Sequence, residues 1–344
     1  CTKSFASRSL FLSSSTPAQS RSAPRRVLTH WLSGRGAEAL TGWLMVLPAL
    51  IGFLLFYALP TLRAVEISFT DWNLLRQPQF VGWDNYVRLW EDDKFWNGMK
   101  LSGYYVLLNI PLQTALGLFL AVAMDRLTRS LFVKSVVLLP YLMSNVLVAM
   151  VWLWMLDPIL GLVNHYIAAI GLERMPFFGG VDQAMLTVAG VNIWRHMGLV
   201  AMLFLAGMQN IPRHLYEAAA LEGASEWQMF RRITLPLLRP VMVFVLVTSV
   251  TGSFQIFDTI AVTTNGGPLD STRVIVHYIV QNAFSFYKMG YASALAWILF
   301  AIILALTLLQ CSQRLTTAAT SDSKPCHQYL LATRVADLRV PKCP

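Results

Sequence analysis

The chain has 344 residues, 56% of them hydrophobic and only 13% charged, with a formal net charge of +9 and a mean hydropathy of +0.53. A soluble domain carries roughly 25% charged residues, and here the deficit is concentrated in long windows without any charge. That pattern excludes a large soluble enzyme core and marks a protein that crosses a bilayer several times.

In chain order, residues 1–38 are rich in Ser and Arg and are expected to form a disordered cytoplasmic tail. Charge-free windows follow at 39–62, 101–124, 135–156, 240–257 and 289–313. Each reaches or nearly reaches the ~20 residues that a helix needs to cross the hydrocarbon. A sixth apolar segment, 183–208, is interrupted only by Arg195 and His196. The expected fold is therefore an all-α polytopic membrane protein, one six-helix domain over 39–313, with a polar tail at 314–344.

Orientation follows from Lys and Arg. With the N-terminus in the cytoplasm, 18 of the 27 basic residues fall in the four inside segments and eight in the three outside loops. Both termini are thus expected in the cytoplasm. The positive charge is accounted for by this bias and implies no nucleic-acid partner. Cys1, Cys311, Cys326 and Cys343 lie at the chain ends without CxxC spacing, so neither a disulfide nor a metal site is expected.

The first outside loop interleaves Phe69, Trp72, Phe80, Trp83, Tyr86, Trp90, Phe95 and Trp96 with Asp71, Asp84, Glu91, Asp92 and Asp93. Such rings can stack on sugars, or rest at the headgroup level as a belt and scaffold; the second reading is preferred. After the fifth span, Gly266-Gly267-Pro268 signals a tight turn.

The stretch YEAAALEGASEWQMFRRITLPLLRP, Tyr216 to Pro240, is polar and lies between two apolar spans, within the loop 209–239. Pro212 suits the first turn of a helix over 212–222, Gly223 permits a sharp break, 225–232 resumes, and Pro236 ends the second piece. Leu215, Ala218 and Ala219 share a face, as do Trp227 and Phe230. A bent helix pair with small residues on one face suits docking to a soluble partner, where a plain connector would need neither feature.

The spacing Glu217-Ala218-Ala219, then Gly223-Ala224, then Ile233 and Leu235-Pro236 resembles the EAA motif of bacterial ABC importer permeases. Glu222 stands where Asp is usual, which keeps the charge. Over roughly 40–310 the chain is similar to sugar-class, binding-protein-dependent permeases of the maltose and glycerol-3-phosphate uptake type. The resemblance carries FVGWDNYVRLWEDDKFWNGMK, AGMQNIPRHLYEAA, FDTIAVTTNGGPLDST and GYASA. It implies a coupling helix that inserts into a cleft of an ATPase subunit. It also implies a second related permease, an ATPase dimer, an extracytoplasmic solute-binding protein, and residence among the lipids of a bacterial cytoplasmic membrane. ATP and Mg would be bound by the ATPase subunits, leaving this chain without a cofactor. No GxxxxGK[ST] motif and no catalytic carboxylate pair are present, so no enzymatic activity is expected.

Polar groups inside spans are costly and so point to function. Asn192, Trp194, Arg195, Ser253, Gln255 and Asp258 are the candidates for the solute pathway. Arg195 has three readings: lining the pathway, pairing with a carboxylate such as Asp258, or snorkelling. Asp258 is either an interfacial helix-end charge or a sugar contact. Ser253 and Gln255 match sugar-contacting positions of the family by position only. Asn145 reads better as a bond between helices than as a ligand. His165 and His196 lack metal-ligand spacing, and the methionines read as packing. The same machine carrying glycerol-3-phosphate or another small solute is the nearer rival. A self-sufficient secondary transporter is the more distant one, because neither internal repeats nor broken helices are evident in the sequence.

Overall fold

The structure, a computed structural model, describes residues 35–128 and 130–322. The expected tails lie largely outside these residues, as do Cys1, Cys326 and Cys343. The described chain divides between Leu62 and Arg63 into two units, a division that falls inside the expected single domain. In the first unit, the helix Arg35–Phe53 passes through a π-helical turn, Leu54–Ala58, into a helix that begins at Leu59. Together these make the apolar span Thr41–Ser68, whose last six residues belong to the second unit.

The second unit holds the remaining spans: Asp93–Leu127, Val181–Gln209, Arg239–Thr263 and Met289–Gln310. The last helix continues to Asp322, so the start of the expected tail at 314 is helical. The third span is not one straight helix. Leu131–Leu142 and Asn145–Met155 are bent by 92° at Met143-Ser144, both of which are extended. The sequence reading of an unbroken helix over 135–156 is therefore corrected. Windowed hydropathy measures burial in lipid, and is blind to a backbone that turns while remaining apolar.

Spans two and four form the central pair. Gly117 abuts Val200, and Ala121, Val200, Ala201 and Phe204 share one buried core with Ile211, Ala219 and Val245. Gly198 lets the third span approach the fourth: a Cβ there would overlap the Val137 carbonyl, the kind of close approach that only glycine permits.

Beyond the N-terminal end of span two, Thr70–Asp71 pairs antiparallel with Gln79–Phe80, and a helix follows at Asp84–Trp90. The aromatic loop packs on itself through Phe69–Trp83 and Trp90–Trp96, with ring centroids 5.1 Å apart in both pairs. Asp92 joins this loop to the far end of the chain, accepting from the hydroxyls of Tyr278 and Tyr291 at 2.6 Å each. The expected turn at Gly266 is present, with φ +85.

Candidate functional site

Span five is interrupted as well. The helix Arg239–Phe254 stops, Gln255 to Phe257 leave helical geometry, and a short helix resumes at Asp258–Thr263. This interruption and the bend of span three meet. Asn145, first residue of the second half of span three, donates through Nδ2 to Oδ2 of Asp258 at 2.9 Å. Both residues line a cavity of about 330 Å³ bordered by spans two to five.

A helix that stops inside an apolar region exposes carbonyls with no intrahelical partner. One turn of span four reaches both interruptions, supplying a donor to the carbonyls at the bend of span three and an acceptor to a hydroxyl of span five. Arg195 donates through Nη2 to the carbonyls of Tyr141 (3.1 Å) and Met143 (2.8 Å), and its guanidinium lies 5.3 Å from the Tyr141 ring centroid. A cation at the C-terminal end of a half-helix is also favoured by the local dipole. His196 donates from Nδ1 to the Asn192 carbonyl and accepts from Arg195 at Nε2, so its two neighbours set its tautomer. Asn192 accepts through Oδ1 from Thr259 on the resumed part of span five.

Span two contributes amides from the other wall. Asn109 donates to Gln113 Oε1 and Ser253 Oγ, both at 3.1 Å, and Gln113 donates to Ser249 at 3.3 Å. Asn109 is 3% exposed, and its Oδ1 has no partner among the described residues; neither does Asn145 Oδ1. Among the described residues, Asp258 is the only carboxylate on the cavity wall, and neither Lys nor Arg lines it.

Of the six pathway candidates, Asn192, Ser253, Gln255 and Asp258 line this cavity, whereas Trp194 and Arg195 do not. Trp194 faces an apolar groove and packs edge-on against Trp152 at 5.4 Å. Arg195 is held by backbone carbonyls and, among the described residues, makes no ion pair with Asp258. Its position inside a span was legible, but the carbonyls that occupy it appear only once span three bends. Sequence reasoning missed Tyr105, Asn109, Gln113, Tyr141 and His196 on the wall. The signal available for Asn109 and Gln113 was their i, i+4 spacing within a charge-free window.

At the far end of span two lies the polar stretch. Residues Arg213–Leu221 are helical, with Pro212 as N-cap rather than first-turn residue. The helix closes at Gly223, φ +78, through Ala224 N–H to Ala219 O and Gly223 N–H to Ala220 O, both 3.0 Å. This is the paired arrangement that a left-handed glycine completes. The second helix begins at Ser225 with a capping box to Gln228. Pro236 does not end it. A π-helical turn, Phe230–Thr234, is followed by a helical Leu235–Leu237, and widening the backbone ahead of Pro236 relieves its missing N–H and ring clash.

The two pieces are tied by Tyr216 to Thr234 at 2.9 Å. Ala219 and Ile233 are buried in the chain's own core, so Ala219 is not part of an outward small face, while Ala218 and Glu217 are exposed. Ala224, Leu235 and Pro236 are half-buried. Leu221 is 91% exposed, and Trp227 lies open beside Phe230. Glu226 pairs with Arg126 at the end of span two, 2.6 Å.

Among the described residues, five helices long and apolar enough to cross a membrane, a sixth span in two bent halves, and a polar cavity lined by spans two to five define a membrane transport protein. Residues 113–316 match the family described as "Binding-protein-dependent transport system inner membrane component". The chain is 32% identical over 273 residues to a trehalose/maltose transport system permease protein of Thermococcus litoralis, covering 79% of this chain and 92% of that protein. It is 31% identical over 275 residues to an sn-glycerol-3-phosphate transport system permease protein of Shigella flexneri, at 78% and 92% coverage. Among solved structures, it is similar to a chain of a bacterial alginate ABC transporter in complex with alginate pentasaccharide-bound periplasmic protein. The TM-score is 0.71 and the identity 26%, covering 85% of this chain and 99% of that one. The chain belongs to the family of binding-protein-dependent transport inner membrane components; it is a permease subunit of an ABC importer.

Proposed function

We propose that this permease conducts a neutral sugar or related polyol through the cavity at the two helix interruptions. The observation that carries the reading is the chemistry of that wall: amides and hydroxyls from spans two to five, one carboxylate, and no Lys or Arg. Hydroxyl-rich neutral solutes match many short polar contacts. A phosphorylated solute would meet no cation there, and Arg195, which kept that rival open, is occupied by two backbone carbonyls.

The subunit works with a second related permease, an ATPase dimer that binds ATP and Mg, and an extracytoplasmic solute-binding protein. It has no cofactor of its own. The Arg213–Leu221 helix lies on the cytoplasmic side, as do both termini, consistent with the Lys and Arg bias. Its exposed Glu217, Ala218 and Leu221 dock on the ATPase, and its movement is passed to span two through Arg126 and Glu226. The test is uptake by the complete importer in liposomes with maltose, trehalose, glycerol and sn-glycerol 3-phosphate. Uptake of a neutral solute, dependent on ATP and on all partners, is expected. Uptake by this chain alone, or of the phosphate ester only, overturns the reading.

A further inference from the structure

We infer that Asn145 and Asp258 form a hydroxyl-reading pair, in which the solute inserts between the amide and the carboxylate. This rests on the cavity being the solute pathway. The two residues satisfy one another at 2.9 Å, and both are half-buried on the cavity wall. The pairing is incomplete. It uses one carboxylate oxygen, and Asn145 Oδ1 has no partner. The neighbouring Asn109 Oδ1 on span two is likewise unpartnered, on a residue only 3% exposed.

A hydroxyl is both donor and acceptor. It can donate to Asp258 while accepting from Asn145 Nδ2, so insertion loses no hydrogen bond. A phosphate or carboxylate group brings acceptors to Asn145 but no proton for Asp258 at neutral pH, and adds like charge beside it. The pair therefore favours a hydroxyl over an anionic group at this point. The selectivity lies in hydrogen-bond complementarity, since leaving buried polar groups unpaired is what rejects the wrong solute.

The experiment uses the complete importer in liposomes, with maltose, trehalose and glycerol as neutral probes and sn-glycerol 3-phosphate as anionic competitor. Asp258→Asn keeps an acceptor oxygen for Asn145 but removes the charge. It is expected to raise the half-saturation concentration of the transported neutral probe by roughly threefold to tenfold, the worth of one or two such hydrogen bonds. It should also strengthen competition by the phosphate ester by a similar factor. Asn145→Leu is expected to raise half-saturation without strengthening that competition, because the Asp258 carboxyl group is left in place. Should Asp258→Asn fail to assemble, Asp258→Glu is read in the same way, with a rise in half-saturation from the displaced carboxylate and competition unchanged. A purely structural pair would lower the amount of assembled importer and its maximal rate but leave the ratio of sugar to phosphate-ester affinity untouched, and that result overturns the inference alone. If the wild-type importer takes up none of the neutral probes, the substrate reading falls and the inference with it.

Discussion

Arg195 and Met143 are 52 residues apart and joined by a hydrogen bond of 2.8 Å, from a guanidinium in the fourth span to a carbonyl at the bend of the third. The bend needs such a donor, because neither lipid nor a continuing helix can satisfy the carbonyls freed at Tyr141 and Met143.

Replacing Arg195 by Met should therefore destabilise the bundle by about 1–3 kcal/mol, the cost of leaving a buried acceptor unpaired. Arg195→Lys should recover part of that loss, since an ammonium can reach one carbonyl but lacks the planar fork that serves two. Thermal unfolding of the protein in nanodiscs reads the difference. Equal midpoints for wild type and Met variant would show that the bend is satisfied without this residue.

Gly198 should tolerate no side chain. A Cβ placed there overlaps the Val137 carbonyl, whereas one at Gly103 has open space around it. Gly198→Ala is expected to cost about 1–3 kcal/mol through forced separation of spans three and four, and Gly103→Ala to be neutral or slightly stabilising. Membrane abundance and melting midpoint are the measurements; similar values for the two variants refute the close-approach argument.

Gly223 and Glu217 separate folding from coupling. Gly223→Val forces a β-branched residue to positive φ, at a cost of roughly 1–2 kcal/mol, while Glu217→Lys reverses an exposed charge. Neither lies in a span, so insertion should survive both. Solute-stimulated ATP hydrolysis by the assembled importer should fall several-fold in each. Normal stimulation in both variants would show that this helix pair is a connector only.

The loop 264–277 should loosen in mild acid. Burial of His277 depresses its pKa below the ordinary 6.5, the Arg273 charge adds to this, and Asp270 opposes it. The folded loop thus holds His277 neutral, donating from Nε2 to Asn265 Oδ1 at 3.1 Å. A depressed folded pKa contributes stability above the unfolded value, and that contribution is lost as pH falls through the folded one. Hydrogen–deuterium exchange in the loop, corrected for intrinsic rates, should therefore rise below about pH 6.5, and His277→Gln should flatten the profile. A wild-type profile as flat as the variant's would remove His277 as the cause.

The number of spans, the polar stretch after Gln209 and its glycine turn could all be read from the order of residues. Each depends on local composition: charge-free length for a span, and a residue without Cβ where φ is positive. The six pathway candidates were chosen on the same ground, that a polar side chain inside a span must have a reason to be there, and four of them line the cavity. Where such a residue points is a different matter. Trp194, Arg195 and His196 are consecutive, yet His196 lines the cavity, Trp194 meets Trp152, and Arg195 serves the bend of span three. That bend, and the pairing of Asn145 with Asp258 across 113 residues, arise only when separate helices pack. A helix interruption in an apolar segment is stable only if another segment satisfies its backbone, and that partner cannot be seen from the segment itself.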